Sequence, residues 1–160
     1  MSSRTFVPWL ALGAAAIVLA GCGQSSGSTA GAAAPTGVPT VNGAPVVIDK
    51  SVLSGTTEPT GGAQGGVGDA IVALHLGSMI CYRFAHLHGF QTATGATLGL
   101  GPTGKPGKMV LVLSPGPRLH HQGCVHAPAA VWNGLKAAPG HYFVNITSAH
   151  NPSGAVRAQL

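Results

Sequence analysis

The chain is 160 residues long with a formal net charge of +5, eight Lys and Arg against three Asp and Glu, and only 7% of its residues are charged. Its carboxylates, Asp49, Glu58 and Asp69, leave no convincing pair for general acid–base work, and its scattered bases form no clustered footprint for nucleic acid. Frequent Gly and Pro between short apolar runs, with little helical periodicity, indicate an all-β protein.

Residues 1–21 read as an export signal rather than as part of the fold. Arg4 supplies a positive start, Trp9 to Leu19 an apolar stretch too short to span a bilayer comfortably, and Leu19-Ala20-Gly21-Cys22 a lipobox. The expectation is a lipoprotein signal peptide whose cleavage leaves Cys22 as the acylated, palmitate-type anchor, with the protein on the cell membrane facing away from the cytoplasm. Residues 22–45 then form the lipidated Cys and a flexible linker. From Gly23 to Pro45 the chain is uncharged and rich in Gly, Ser, Ala, Thr and Pro, so it has little to bury against the entropy of ordering. Flexible-chain scaling gives this tether a reach of roughly 25 to 30 Å.

Residues 46–160 suffice for one core. Val46 to Leu53 opens the sheet, and Gly61 to Gly68 is a turn region. Asp69–Leu76 and Ser78–Leu87 alternate on either side of Gly77-Ser78, a pair compatible with a type II′ hairpin. On the second of these runs Ile80, Tyr82, Phe84 and His86 fall on one face, with Met79, Cys81, Arg83 and Ala85 on the other. Gly89 to Lys108 reads as a long loop, Met109 to Leu113 as a short buried strand, Ser114 to Gly123 as a second loop, and Val131 to Ala138 as a helical turn after Pro128.

The clearest pattern is Gly140 to Leu160. Tyr142, Val144 and Ile146 alternate with Phe143, Asn145 and Thr147; Asn151-Pro152-Ser153-Gly154 fits a type I turn; Val156, Ala158 and Leu160 then alternate with Arg157 and Gln159. The apolar set is expected to face the core, with Arg157 and Gln159 facing out. Short strands at turn-marked intervals make the expected fold an antiparallel, Greek-key-like β-sandwich or barrel.

The candidate chemistry lies in cysteines and histidines. With Cys22 assigned to the anchor, Cys81 and Cys124 remain as an even pair in an exported domain, which favours a disulfide over two free thiols or a metal pair. His86 and His88, two apart on a strand, would project together, and His120, His121 and His126 flank Cys124. A Cys81–Cys124 bridge would bring that loop toward the His86 strand, giving a tentative Cu or Zn site from His86, His88, His120, His121 and His126. No carboxylate accompanies these histidines in the sequence, so surface and loop histidines are the competing reading.

The aromatic strand with Asn145, the turn Asn151-Pro152-x-Gly154 and the finish Val156-Arg157-x-Gln159-Leu160 resemble the closing hairpin of the CHRD domain, the repeat first described in chordin. Leu53-Ser54-Gly55 with Glu58-Pro59 resembles that family's opening strand, and Ile80-Cys81-Tyr82 its central one. The resemblance implies the same β architecture and an extracellular binding role, with a partner or ligand it does not name. The family's His-x-His ahead of Gly-Pro is replaced by Leu98-Gly99-Leu100-Gly101-Pro102, its histidine after the closing Asn by Thr147, and its acidic residue before the Arg by Ala155. No ligand role therefore transfers to those positions.

Catalytic readings have little support. Neither Asp49 nor Asp69 lies near a Gly-x-Ser-x-Gly elbow. The segment His86-Leu87-His88-Gly89-Phe90 is faintly similar to the ligand strand of copper/zinc superoxide dismutase, without a convincing Asp ligand or bridging His. The sequence thus points to a lipid-anchored, non-catalytic binding or structural module, with a His-rich Cu/Zn protein, or less readily a dismutase-like enzyme, as the alternative.

Overall fold

The structure is a computed structural model that describes residues 45–160. The predicted signal segment 1–21, Cys22 and the linker up to residue 44 lie outside the described residues. Eight strands, β1 (Val47–Ser54), β2 (Val67–His75), β3 (Met79–His88), β4 (Ala93–Leu100), β5 (Lys108–Ser114), β6 (Gln122–His126), β7 (Tyr142–Ser148) and β8 (Val156–Gln159), form one antiparallel sheet with α1 (Ala129–Ala137) between β6 and β7. The strand order β5-β4-β7-β8-β1-β2-β3-β6 departs from chain order at β3 to β4, at β5 to β6 and at β6 to β7. The outermost strands, β5 and β6, approach each other, so the sheet curls into a nearly closed barrel.

Period-two patterning sets which side chains fill it. Leu53, Val72, Leu74, Ile80, Tyr82, Phe84, Leu98, Leu113, Val144, Ile146 and Val156 point inward and are buried. Tyr82 and Phe84 stack with ring centroids 5.0 Å apart. One barrel end is closed by α1, whose Leu135 joins the core and whose Trp132 Nε1 donates to the His75 carbonyl at 3.1 Å. The chain enters β1 at this same end, where Val46 N–H donates to Leu74 O. The turns after β1, β3 and β7 lie at the opposite end.

Residues 115–121 span the seam between the outer strands. Leu119 N–H donates to Ala93 O on β4, and His121 O accepts from Phe84 N–H on β3. His120 N–H donates to Ser114 Oγ at 2.8 Å, and Ser114 also hydrogen-bonds the Tyr82 hydroxyl. Burial pushes the Tyr82 phenol pKa up, opposed by that Ser114 bond. The barrel is therefore latched by hydrogen bonds where no strand ladder closes it.

Several expectations need correction. The stretch read as a loop from Gly89 contains β4, in which Ala96 and Leu98 face inward while Gly95 and Gly99 interrupt the apolar signal. Gly99 is required by packing, because a Cβ there would lie 2.1 Å from Cζ of the Phe143 ring. The second predicted loop, Ser114 to Gly123, holds for residues 115–121, while Ser114 ends β5 and Gln122 and Gly123 open β6, a strand not expected from the sequence. At the β2–β3 turn both Gly77 (φ 75°) and Ser78 (φ 59°) have positive φ, whereas a type II′ turn requires it at the first central residue alone.

The helix falls where the sequence placed it, and the closing hairpin has the expected pairing, Val144 opposite Ala158 and Ile146 opposite Val156. Gly154 N–H bonds to Asn151 O, as in the predicted turn. The packing of Phe143 over β4 predicts that Gly99→Ala lowers stability by about 1–3 kcal/mol, the usual range for overpacking. A thermal melt showing an unchanged midpoint would contradict that account.

Candidate functional site

The bridge between β3 and β6 is present. Cys81 and Cys124 are register partners with Sγ atoms 2.06 Å apart. Since Ile80 and Tyr82 point into the barrel, Cys81 lies on the outer face, where the bridge fastens the edge strand β6 to its neighbour.

The histidines are distributed differently from the expected cluster. The pairings Val67 with His88 and Asp69 with Ala85 leave one more residue on β3 than on β2, and His86 occupies this bulge at φ 50°. The bulge breaks the alternation, so His86 leaves the face of Ile80, Tyr82 and Phe84 and is exposed, as is His88. A carboxylate does accompany it: Asp69 Oδ2 lies 2.6 Å from His86 Nδ1. His120 and His121 sit in the seam segment, and His126 is at the far end of β6, opposite Met79. Among the described residues no three His, Cys, Asp or Glu are grouped to hold a metal. The structure therefore does not gather His86, His88, His120, His121 and His126 into one centre.

Arg157 and Gln159 occupy the outer face, as their alternation requires, yet the expectation that they face solvent fails for Arg157, which is only 2% exposed. The β4–β5 connection folds back over them. Arg157 donates to Lys105 O at 2.8 Å and Pro102 O at 3.1 Å, and its guanidinium lies 3.4 Å from the centroid of the Phe143 ring. Gln159 Nε2 donates to Gly101 O at 3.0 Å and Gly140 O at 2.8 Å. Burial lowers the Arg157 pKa, and the nearby Glu58 charge opposes that shift.

Glu58 is itself buried and accepts from Thr60 Oγ1 at 3.0 Å. Its Oε2 and the Asn145 Oδ1 lie 2.5 and 2.7 Å from where a Gly154 Cβ would be. Gly154 also has φ 149°, so this position favours glycine twice over. The motif residues Glu58, Asn145, Gly154 and Arg157 thus form a polar knot on the outer face, with Gln159 beside Arg157 on β8, and Glu58 Oε2, Asn145 Oδ1 and Gln159 Oε1 are buried there without a hydrogen-bond partner among the described residues.

Among the described residues one concave feature with mixed chemistry, about 310 Å³, lies against Phe143, Asn145 and Ser153, and another lies at the barrel end remote from α1. The latter, a cavity of about 410 Å³, has Leu87, Phe90, Ala93 and Leu119 as its apolar lining, with Gln91, Thr92, Arg118 and His121 as its polar lining. Leu119 belongs to the core, and the other three pack against it. Sequence reasoning missed this site because its walls come from the β3–β4 turn and the seam segment, which are far apart in the chain. Adjacent apolar and polar residues within a presumed loop, such as Arg118-Leu119, were the available signal.

These features define a disulfide-bridged antiparallel β barrel with a buried polar knot on its outer face and a lined cavity at one end. The chain belongs to the CHRD domain family, whose sequence model matches residues 50–160. Comparison with curated proteins and with solved structures finds no match.

The bridge closes a separation of 43 residues, for which chain-entropy reasoning gives up to about 4 kcal/mol. Cys124→Ala should lower the melting midpoint of the oxidised protein by removing that constraint. An equal midpoint for variant and parent under non-reducing conditions would show that β6 is held by its ladder and the seam alone.

Proposed function

We propose that the protein is a lipid-anchored, cell-surface binding or structural module without catalytic activity, tethered through Cys22 and directed away from the cytoplasm. The observation that carries this reading is the polarity of the barrel. The linker joins it at the α1 end, whereas the lined cavity occupies the other end. A domain tethered in this way has its cavity at the end remote from the attachment point, open to the medium. Membership of the CHRD family supports a binding role over a catalytic one. The lipobox Leu19-Ala20-Gly21-Cys22 supports the anchor, and among the described residues no helix is long and apolar enough to cross a membrane.

The alternative, a His-rich Cu/Zn protein, draws support from the His86–Asp69 pair, since a carboxylate can orient an imidazole for ligation. That pair supplies one oriented histidine, short of the three protein ligands of a catalytic zinc site. The binding-module reading is therefore preferred.

The anchor and the binding role are tested separately. Cys22→Ala should move the protein from the membrane fraction to the soluble fraction or leave it unprocessed, and mass spectrometry of the native protein should show an acylated Cys22. An unmodified mature N-terminus in membrane-free fractions would refute the anchor. A pull-down from intact cell envelopes should retain a specific partner or ligand, while stoichiometric Cu or Zn with dismutase activity would replace this reading by the metalloprotein one.

A further inference from the structure

The cavity at the barrel end remote from α1 combines three properties. Its volume, about 410 Å³, falls in the ~300–1,000 Å³ range of small-molecule sites. Its apolar surface is continuous with the core through Leu119, which is 5% exposed, and through Leu87 and Phe90 packed against the same cluster. Its cation, Arg118, is exposed and makes no hydrogen bond or ion pair with the described residues.

None of the chain's three carboxylates lines this cavity. Asp69 faces His86, Glu58 is enclosed with Thr60, and Asp49 accepts from Ser51. Arg157 offers a contrast, for it is held by two carbonyls and an aromatic ring. Arg118 keeps its planar set of donors available beside an apolar surface. A guanidinium in that position matches a carboxylate or phosphate through two parallel hydrogen bonds, while the apolar wall takes a hydrocarbon or aryl body.

The wall is also held in place. Leu119 N–H is tied to Ala93 O, His120 N–H to Ser114 Oγ and His121 O to Phe84 N–H, so the residues on either side of Arg118's wall are fixed to both barrel edges. A ligand would meet a largely formed surface and lose little free energy to ordering it.

We propose that this cavity binds a small amphiphilic anion, its acidic head on Arg118 and its apolar body against Leu87, Phe90 and Leu119. The inference rests on the binding-module reading and names its ligand class. Free carboxylic acids and acidic lipids share that chemistry, and the test separates these sources.

The test is octanoate titration of the full chain in zwitterionic nanodiscs, with empty discs subtracted. Saturable binding is expected, weakened roughly tenfold or more by Arg118→Gln, as for loss of a charged hydrogen bond. Thr92→Glu, which places a carboxylate on an exposed residue of the cavity lining, should weaken it similarly, while Lys50→Gln should not. Displacement of octanoate by phosphatidylglycerol vesicles assigns a lipid source, and lack of displacement assigns the free acid. Absence of saturable octanoate binding, or equal affinity in parent, Arg118→Gln and Thr92→Glu proteins, overturns the inference. The envelope pull-down is independent of octanoate, so a retained partner would then leave the binding-module reading standing with its ligand elsewhere.

Discussion

A buried guanidinium has to be satisfied, and the requirement at Arg157 organises much of this barrel. β8 is only four residues long, yet it joins β7 to β1 in the middle of the sheet order. Its inward residues, Val156 and Ala158, supply modest apolar area. Its outward arginine recruits the 101–107 connection, the Phe143 ring and the field of Glu58. An unpaired buried charge would be severely unfavourable, so the connection is held against the strand by the same contacts that make the strand's burial tolerable.

This constraint accounts for otherwise unrelated sequence features. Gly99 leaves space for the ring on which Arg157 stacks, and Gly154 leaves space beside Glu58 and Asn145. Gln159 extends the attachment to the Gly101 and Gly140 carbonyls. Of the residues that carry the CHRD resemblance, Glu58, Asn145, Gly154, Arg157 and Gln159 therefore maintain the outer wall of the barrel, while Leu53, Ile80, Tyr82 and Val156 fill its core. The proposed ligand cavity lies on a different surface, where the seam segment meets the β3–β4 turn. A fold maintained on one surface can vary its ligand on another, in keeping with the separation of fold from function.

The hairpins were legible in the sequence because their information is local. Alternation over Tyr142–Ile146 and Val156–Leu160, with the Asn-Pro-Ser-Gly turn between, fixes pairing and facing together, and the same holds for Ile80, Tyr82 and Phe84. The Cys81–Cys124 bridge was also accessible, from an even cysteine pair in a chain whose first residues read as an export signal. Strand β4 was hidden by Gly95 and Gly99, whose lack of side chains makes sense only once β5 and β7 lie beside them. The fate of Arg157 was hidden for a similar reason. Alternation indicates that a side chain leaves the core, but a covering loop some fifty residues away in sequence determines whether it meets water. His86 was misplaced because one bulged residue changes its facing, and the cavity was unreadable because its walls meet only in three dimensions.

The most direct test of the Arg157 account is the melting of an Arg157→Lys protein, followed by hydrogen exchange of residues 101–107. Lysine preserves the charge but cannot offer a planar fork to Lys105 O and Pro102 O while stacking on Phe143. The account predicts a destabilisation of about 2 kcal/mol or more, as for damage to a buried charged network, with faster exchange across the covering connection. A parental melting midpoint with unchanged exchange in that connection would contradict the claim that this guanidinium organises the barrel wall.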